Sequence, residues 1–299
     1  MSPIRGSREG TTTMPPTATG VSSWLSSLSQ RHVLTRKEQS VADSLAAHPR
    51  LGSYGSIREV AEKSNVSIGT VTRASKSLGF MGWPALQEEL RAIYISSLSA
   101  AEIAEHRSHG QDRPAYAWLT RDRDNINSFM KACDLEQLRR CAQLIQKSRR
   151  AFVVGLGSYN GVGYALAHSA WLHGYDVRLL SEEMQVVNTI AQLGPDDLVI
   201  IMSFWRLYEV TFQTIRACNE QSVPIILLSE NLTHDIEEQC TEVIRVPSEA
   251  VGFQTSLSTV VSVVQAIIAE LIALDPDRAK DAIARTEKRW EQFGLLRSY

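Results

Sequence analysis

Cysteine is scarce in this 299-residue chain, and the way it is spaced excludes several classes of protein. The four cysteines form neither a Cys-x-x-Cys pair nor a cluster with histidine at zinc spacing; they are Cys133, Cys141, Cys218 and Cys240. We therefore expect reduced, buried thiols, and no metal site.

Long apolar runs and a large net charge are also missing. No stretch reaches the roughly 18 apolar residues of a membrane helix, and the longest, residues 257–274, contains five polar residues and predicts a buried helix. The first 20 residues lack the apolar segment of a secretion signal. We expect a cytoplasmic protein without a membrane partner. The formal net charge of −2 argues against a chain built wholly to bind polyanions, but it leaves room for one small nucleic-acid-binding module.

Hydrophobic periodicity divides the chain into four parts. Residues 1–23 are rich in Ser, Thr, Pro and Gly, which predicts a disordered tail. Residues 24–105 are helical in pattern, and the polar residues 106–117 predict a linker. In residues 118–299, two helical segments precede five Val/Ile/Leu-rich runs that alternate with helices. This pattern indicates a mainly parallel five-stranded sheet, buried on both faces in an α/β three-layer sandwich.

The all-helical part contains two short helices joined by a tight turn, in "SIREVAEKSNVSIGTVTRASKSLGF". Ser56 can cap the first helix in a capping box with Glu59, and Ser67 can cap the second. Gly79 then follows at the position where a left-handed residue ends a helix. The stretch predicts a helix-turn-helix.

The outward face of the second helix is small, hydroxylated or basic, with no acidic residue between Ser67 and Phe80. Such side chains donate hydrogen bonds to phosphates and base edges. The predicted DNA contacts are Ser56, Ser67, Gly69, Thr70, Thr72, Arg73 and Lys76. The alternative is a helical hairpin that packs on a partner protein and exposes a solvated basic face.

A glycine-rich loop, "VVGLGSYNGVG", follows the first predicted strand. A dinucleotide fingerprint requires Gly-x-Gly-x-x-Gly. Here Asn160 occupies the third glycine position after Gly155 and Gly157, and the next glycine, Gly161, comes one residue late. We therefore expect no nicotinamide or other cofactor.

Two stretches, "LTRKEQSVADSLAAHP" and "SIREVAEKSNVSIGTVTRASKSLGFMGWPALQEEL", resemble the N-terminal domain of RpiR-type bacterial transcription regulators. Residues 135–274 resemble the sugar isomerase (SIS) domain of that family, which is its phosphosugar-sensing module. The resemblance implies double-stranded operator DNA as one partner and a phosphosugar or sugar acid as effector. It also implies a homodimer or homotetramer.

The predicted effector loops depart from the SIS pattern. Tyr159 stands where such domains usually carry a serine, and Trp205 and Arg206 stand where the second loop is usually small and hydroxylated. Glu230 follows the fourth strand, at the end where α/β ligands bind. The candidate effector contacts are Gly157, Ser158, Tyr159, Asn160, Ser203, Trp205, Arg206 and Glu230. Two alternatives stay open: an anion-binding pocket, or a pocket that has lost its effector and is filled by aromatic side chains.

Catalysis is not expected, because no base stands in a recognisable arrangement for removing a proton next to a sugar carbonyl. The titratable candidates are His168, His173, Glu182, Glu183, Glu230 and His234. The position of His168 on its helix predicts a core residue. We assign no catalytic residue. The alternative functions are a sugar-phosphate isomerase and a ligand-free oligomerisation scaffold whose long apolar helices, including residues 257–274, supply the self-association surface.

Overall fold

The structure is a computed structural model that describes residues 16–107, 113–205, 207–252 and 254–295. The chain divides into two compact units, residues 1–99 and 100–299. The division falls six residues before the predicted domain end at 105, because a new helix begins at Ala100 and belongs to the second unit.

The described part of the first unit is entirely helical, as predicted. Its helices are α1 (Pro16–Arg31), α2 (Arg36–Ala47), α3 (Pro49–Tyr54), α4 (Ile57–Lys63), α5 (Ile68–Ser77) and α6 (Trp83–Ser97).

Helix α1 corrects the predicted tail. The prediction of disorder over residues 1–23 is wrong for residues 16–23, which form the first half of α1; residues 1–15 lie outside the described part. Val21, Leu25 and Leu28 recur at helical spacing and are all buried. Because small polar residues surround these three, the average composition concealed the pattern.

Helices α2, α4 and α5 pack around a shared apolar core. Val41, Val60 and Val71, one from each helix, are completely buried. Asn65 (φ 52°) lies in the turn between α4 and α5, and Gly79 (φ 96°) follows α5 with the left-handed backbone expected of it. The predicted helix-turn-helix is therefore present.

The second unit begins with α7 (Ala100–Arg107), α8 (Pro114–Ala132) and α9 (Leu135–Lys147). The predicted linker over 106–117 is too long at both ends, since α7 continues to Arg107 and α8 starts at Pro114; proline suits the first turn of a helix because its missing N–H has no partner there. Residues 108–112 lie outside the described part.

Strands and helices then alternate to the end of the described chain. The order is β1 (Arg150–Val154), α10 (Asn160–Leu172), β2 (Val177–Leu180), α11 (Glu183–Ile190), β3 (Asp197–Met202), α12 (Glu209–Glu220), β4 (Ile225–Ser229), α13 (His234–Glu237), β5 (Glu242–Arg245), α14 (Ser258–Leu274) and α15 (Pro276–Gln292). The five strands pair only in parallel, in the order β2-β1-β3-β4-β5.

The sheet is covered on both faces, which confirms the three-layer sandwich. On one face, α9, α10 and α14 pack against alternate residues of the strands. These helices supply Cys141, Leu166 and Val264, respectively, to this core. On the other face α11 and α12 supply Val186 and Ile215 to a second core. Val153 and Val154, adjacent in β1, enter opposite cores because neighbouring strand residues face opposite sides of a sheet.

Helix α14 is a core helix, as its apolar pattern predicts. Its residues Val260, Val264, Ile267 and Leu271 are at most 1% exposed. One face of α14 is therefore buried inside the domain, whereas Val261 on the helix is 37% exposed; the expectation that residues 257–274 supply a self-association surface stays a prediction.

The described helices include none that alone is long and apolar enough to cross a membrane. Only α14 and α15 taken together, across a 105° bend, reach that length and composition.

Two of the four cysteines, Cys141 and Cys218, are fully buried, and Cys133 and Cys240 are half-buried; all four are free thiols. Burial raises the pKa of Cys141, Cys218 and Cys240 to about 12.

Candidate DNA-binding helix and effector crevice

Helix α5 begins with a compact polar arrangement. The Thr70 N–H donates to Ser67 Oγ at 3.3 Å, and the two hydroxyl oxygens lie 3.0 Å apart. Arg73 Nη2 donates to Thr70 Oγ1 at 3.1 Å. The cap therefore fixes the first turn of the helix and also holds the Arg73 guanidinium beside it.

Exposure separates the predicted DNA contacts. Ser67, Gly69, Arg73 and Lys76 are exposed, so these four share the accessible side of α5. Thr72 is half-buried and donates its hydroxyl proton to the carbonyl of Ile68 at 3.3 Å, within the helix.

Thr70 is only 4% exposed, so its prediction as a DNA contact is wrong. Its hydroxyl accepts from Arg73 inside the domain and positions that side chain. The error arose because a threonine at the third position of a helix looks the same in the sequence whether it faces solvent or the cap.

Ser56 is exposed at the start of α4, in the predicted capping box. Its hydroxyl donates to Glu59 Oε2 at 2.8 Å and accepts from the Glu59 N–H at 3.3 Å. The pKa of Glu59 lies below its usual range, chiefly because its carboxylate accepts a hydrogen bond from the backbone N–H of Ser56. The hydrogen bond from the Ser56 hydroxyl lowers it further. The role of Ser56 in DNA contact stays a prediction.

Glu38 has a structural role that the sequence analysis missed. Its carboxylate accepts from the Thr35 N–H (2.9 Å) and hydroxyl (2.8 Å) at the start of α2, and from the Ser77 hydroxyl (3.1 Å) at the end of α5. The residue is 7% exposed. Hydrogen bonds from Thr35 and Ser77, with the charge of Arg73, lower the pKa of Glu38 despite its burial. Glu38 thus fixes α5 to α2; a threonine followed three residues later by a glutamate was the available signal.

The predicted effector loops meet at one edge of the sheet. From β1, the chain crosses to β2 on one side, whereas β3 lies on the other side of β1. In open parallel sheets, this reversal of strand order creates a crevice at the carboxyl ends of the two central strands, where ligands bind. Residues 155–159 follow β1, and residues 203–205 and 207–208 follow β3, so they flank this crevice.

Aromatic rings join the two loops. Tyr159 and Phe204 pack edge to face with their centroids 5.3 Å apart. Gly157 has φ 59°, and a Cβ added there would lie 3.8 Å from the hydroxyl of Tyr208. A glycine is favoured at this point because other residues seldom adopt a positive φ.

The candidate effector residues differ in accessibility. Gly157 and Ser158 are exposed, and Asn160 and Trp205 are half-buried. Ser203 is 2% exposed. Arg206 lies outside the described residues.

Tyr159 is 6% exposed and belongs to the apolar core beneath the loop. Its prediction as an effector contact is therefore wrong; its ring packs edge to face on Phe204 within that core. At this position, where a serine is expected, the tyrosine side chain packs in the core.

Glu230 is half-buried at the carboxyl end of β4. Its Oε2 accepts from the Ser248 hydroxyl at 2.6 Å, from the segment that follows β5. Ser248 is 2% exposed and was not predicted as part of the site.

The histidines of α10 do not form a catalytic arrangement with these loops. His168 is exposed and stacks on Tyr164 with the centroids 5.4 Å apart, so the prediction of a core position is wrong. His173 Nδ1 lies 2.7 Å from the carbonyl oxygen of Ser169, in its own helix.

Comparison with known proteins identifies both domains. Residues 24–106 match the helix-turn-helix domain model of the rpiR family, and residues 144–273 match the SIS domain model. The chain therefore combines a helix-turn-helix domain with a sugar isomerase domain. Its first domain is similar to the helix-turn-helix domains of the rpiR family.

Individual relatives agree with this assignment. An HTH-type transcriptional regulator of Clostridium perfringens is 25% identical over 182 residues, which are 60% of this chain and 64% of the relative. The chain thus matches slightly less than two thirds of that relative's length.

Two solved structures share the fold. The sugar isomerase domain of an RpiR transcription factor from Sphaerobacter thermophilus has a TM-score of 0.56 at 24% identity, covering 60% of this chain and 99% of that one. The Vibrio vulnificus NanR protein, complexed with ManNAc-6P, has a TM-score of 0.59 at 16% identity, covering 93% and 100%.

Proposed function

We propose that the protein is a transcription regulator that binds operator DNA through α5 and senses a small anionic sugar derivative in the SIS domain. The proposal of DNA binding rests on the exposed side of α5. It presents two cations, Arg73 and Lys76, with the backbone at Gly69 and the capped helix start at Ser67. Small residues allow the backbone to approach a duplex, and the cations meet phosphates or guanine edges.

The experiment is selection of bound sequences from random duplex DNA with the full chain, followed by affinity measurements at several salt concentrations. We expect Lys76→Ala to weaken binding to all selected sequences and to reduce the salt slope by about one. Lys131→Ala, an exposed lysine of α8, is the control. Arg73→Ala should also weaken binding, since the guanidinium is held beside the helix start. Equal affinities for wild type and both α5 variants would contradict the assignment.

The sensing half rests on the crevice between the loops after β1 and β3. Ser158 is exposed and Asn160 half-buried at the start of α10, where the helix dipole and backbone N–H groups favour an anion. Because Tyr159 and Phe204 are buried in the core, we propose that the anion, a phosphate or a carboxylate, sits at the start of α10. The sugar hydroxyls then extend towards Glu230.

A thermal-shift screen of sugar phosphates, sugar acids and their uncharged parent sugars tests this proposal. We expect stabilisation by an anionic member and little by its uncharged parent, and a smaller shift in Ser158→Ala. Ser148→Ala is the control, because that hydroxyl donates to the carbonyl of Ile145 within the turn that ends α9. Absence of any shift across the panel would favour a ligand-free scaffold.

We propose that the protein is not an enzyme. Several relatives are named as HTH-type transcriptional regulators, His168 is stacked on Tyr164, and His173 Nδ1 lies 2.7 Å from the carbonyl oxygen of Ser169. Turnover of a sugar phosphate by the full chain, lost in Glu230→Gln, would overturn this and favour the isomerase alternative.

We propose self-association as a homodimer or homotetramer. Support comes from α10, whose outward side exposes Tyr164 (58%) and Trp171 (72%), since large exposed aromatic residues commonly mark interfaces. Sedimentation of wild type and of a Trp171→Ser variant tests the surface; an unchanged oligomer in the variant would exclude Trp171 from it.

A further inference from the structure

The segment between β5 and α14 contacts both the effector crevice and helix α8. We refer to residues 246–252 and 254–257 as the β5–α14 connection. Its buried serines, Ser248 (2% exposed) and Ser256 (1% exposed), hydrogen-bond to carboxylates on two different elements.

At the crevice end, the Ser248 hydroxyl donates to Glu230 Oε2 at 2.6 Å. A short hydrogen bond from a hydroxyl to a carboxylate is among the stronger ones in proteins, and burial strengthens it further. The carbonyl of Ser248 accepts from the N–H of Ser256 at 3.0 Å, so the two serines are joined through the main chain.

At the other end, Asp122 of α8 receives two hydroxyl groups. Ser256 Oγ donates to one carboxylate oxygen at 2.5 Å, and Ser258 Oγ donates to the other at 2.6 Å. Asn125, one turn further along α8 and 5% exposed, donates to the carbonyl of Glu249 at 2.8 Å. Helix α8 is thus fixed to the connection by three part-buried hydrogen bonds.

A ligand in the crevice has a direct chemical route into this network. Sugar hydroxyls are hydrogen-bond donors, so a sugar that donates to Oε2 of Glu230 competes with Ser248 for that oxygen. Ser248 is buried and must find another acceptor if it loses Glu230, because an unsatisfied buried hydroxyl is costly. The connection then changes its arrangement, and Asp122 and Asn125 change with it.

The position of α8 in the sequence gives this coupling a consequence. It is the first helix after residues 108–112, on the chain path from the helix-turn-helix domain to the SIS domain. Along the chain, residues 108–112 and α7 join α8 to the DNA-binding part.

We propose that the β5–α14 connection transmits occupancy of the crevice to α8, with Ser248 and Asp122 as positioning residues at its two ends. The proposal rests on the proposed sensing function for its biological role, but the physical coupling exists without a ligand. Without a ligand, a substitution of Ser248 alters the surroundings of Asp122, and a substitution of Asp122 alters those of Ser248. A sugar that hydrogen-bonds to Glu230 alters DNA affinity through Asp122.

Hydrogen exchange followed by mass spectrometry on the full chain tests the coupling. Ser248→Ala should speed exchange in peptides covering residues 119–126 of α8 by roughly fivefold or more, since local opening depends on such contacts. Asp122→Ala should do the same for peptides covering 230–233. The controls are Ser148→Ala and Asp124→Ala; Asp124 is exposed on α8 and forms an ion pair with the neighbouring Arg123. Effects confined to the mutated element would overturn the proposal.

The regulatory role is read from DNA affinity. With a sugar phosphate that shifts the wild-type melting temperature, Asp122→Ala should keep that shift and lose the ligand's effect on DNA affinity, whereas Asp124→Ala keeps both. An Asp122→Ala protein whose DNA affinity still responds to the sugar as wild type does would overturn the proposal. Absent DNA or sugar binding in wild type, together with reciprocal exchange effects, would count against the proposed function and leave the coupling supported.

Discussion

Glu38 offers a sharp test of how the helix-turn-helix domain holds its second helix. Its carboxylate accepts three hydrogen bonds, two from Thr35 and one from Ser77. In Glu38→Gln, the amide oxygen can still accept from the Thr35 N–H. The amide nitrogen then faces the Ser77 hydroxyl, which donates to the carboxylate in the wild type. We expect a loss of about 2 kcal/mol, close to one hydrogen bond to a charged group. That loss corresponds to a roughly 30-fold larger population of opened domain.

The measurement is amide exchange of α2 and α5 in the full chain at matched pH. Exchange should be roughly 30-fold faster in Glu38→Gln at pH 7. Glu59→Gln is the matched control, because Glu59 forms the same kind of capping box with Ser56 but is exposed; its effect should be smaller and confined to α4.

The pH dependence gives the same prediction a second test. Thr35 lowers the pKa of Glu38 in the folded protein. The stabilisation of the folded protein by Glu38 is therefore fully present above about pH 4.3, the pKa of this carboxyl in the unfolded chain. It is lost as the pH falls through the lower pKa that Glu38 has in the folded protein. The difference between wild type and Glu38→Gln should shrink from pH 7 to pH 3. Equal exchange at pH 7, or an undiminished difference at pH 3, would refute the reasoning.

Two further predictions concern the SIS domain. Asp197 is buried at the start of β3 and is paired with two arginines that hold its pKa well below its usual range. Asp197→Asn should cost about 3 kcal/mol at pH 7, as measured by urea unfolding. This difference should be lost as the pH falls below about 3.9; a constant difference would contradict the ion-pair explanation. Gly163→Val should destabilise by about 1–3 kcal/mol, because even its Cβ would lie 2.7 Å from Leu179 Cδ1. Gly161→Val, where a Cβ meets nothing within 4 Å, should cost less, and equal losses would exclude crowding as the cause.

The sequence predicts the architecture well because its signals are local. The capping boxes, the left-handed glycine after α5 and the five apolar runs each specify their own element, and the structure contains each of them. Helix α1 was missed in part because three buried apolar residues lie in a segment whose composition is otherwise typical of disorder.

The candidate sites were predicted less completely, because side-chain direction depends on tertiary contacts. Thr70 and Tyr159 stand at positions where the sequence suggests contact with a ligand, yet both are buried. Conversely, Ser248 and Asp122 lie 18 residues or more from their partners in the chain, so no local pattern relates them to those partners.

The ring contact between Tyr159 and Phe204 has a kinetic consequence. Each ring belongs to a different loop, and an edge-to-face pair of this kind is worth about 0.5–1.5 kcal/mol beyond its buried area. Separating the rings would cost roughly that energy, so the contact couples the two loops and favours their moving together over their moving independently. A variant that weakens the ring contact should therefore change the mobility of both loops.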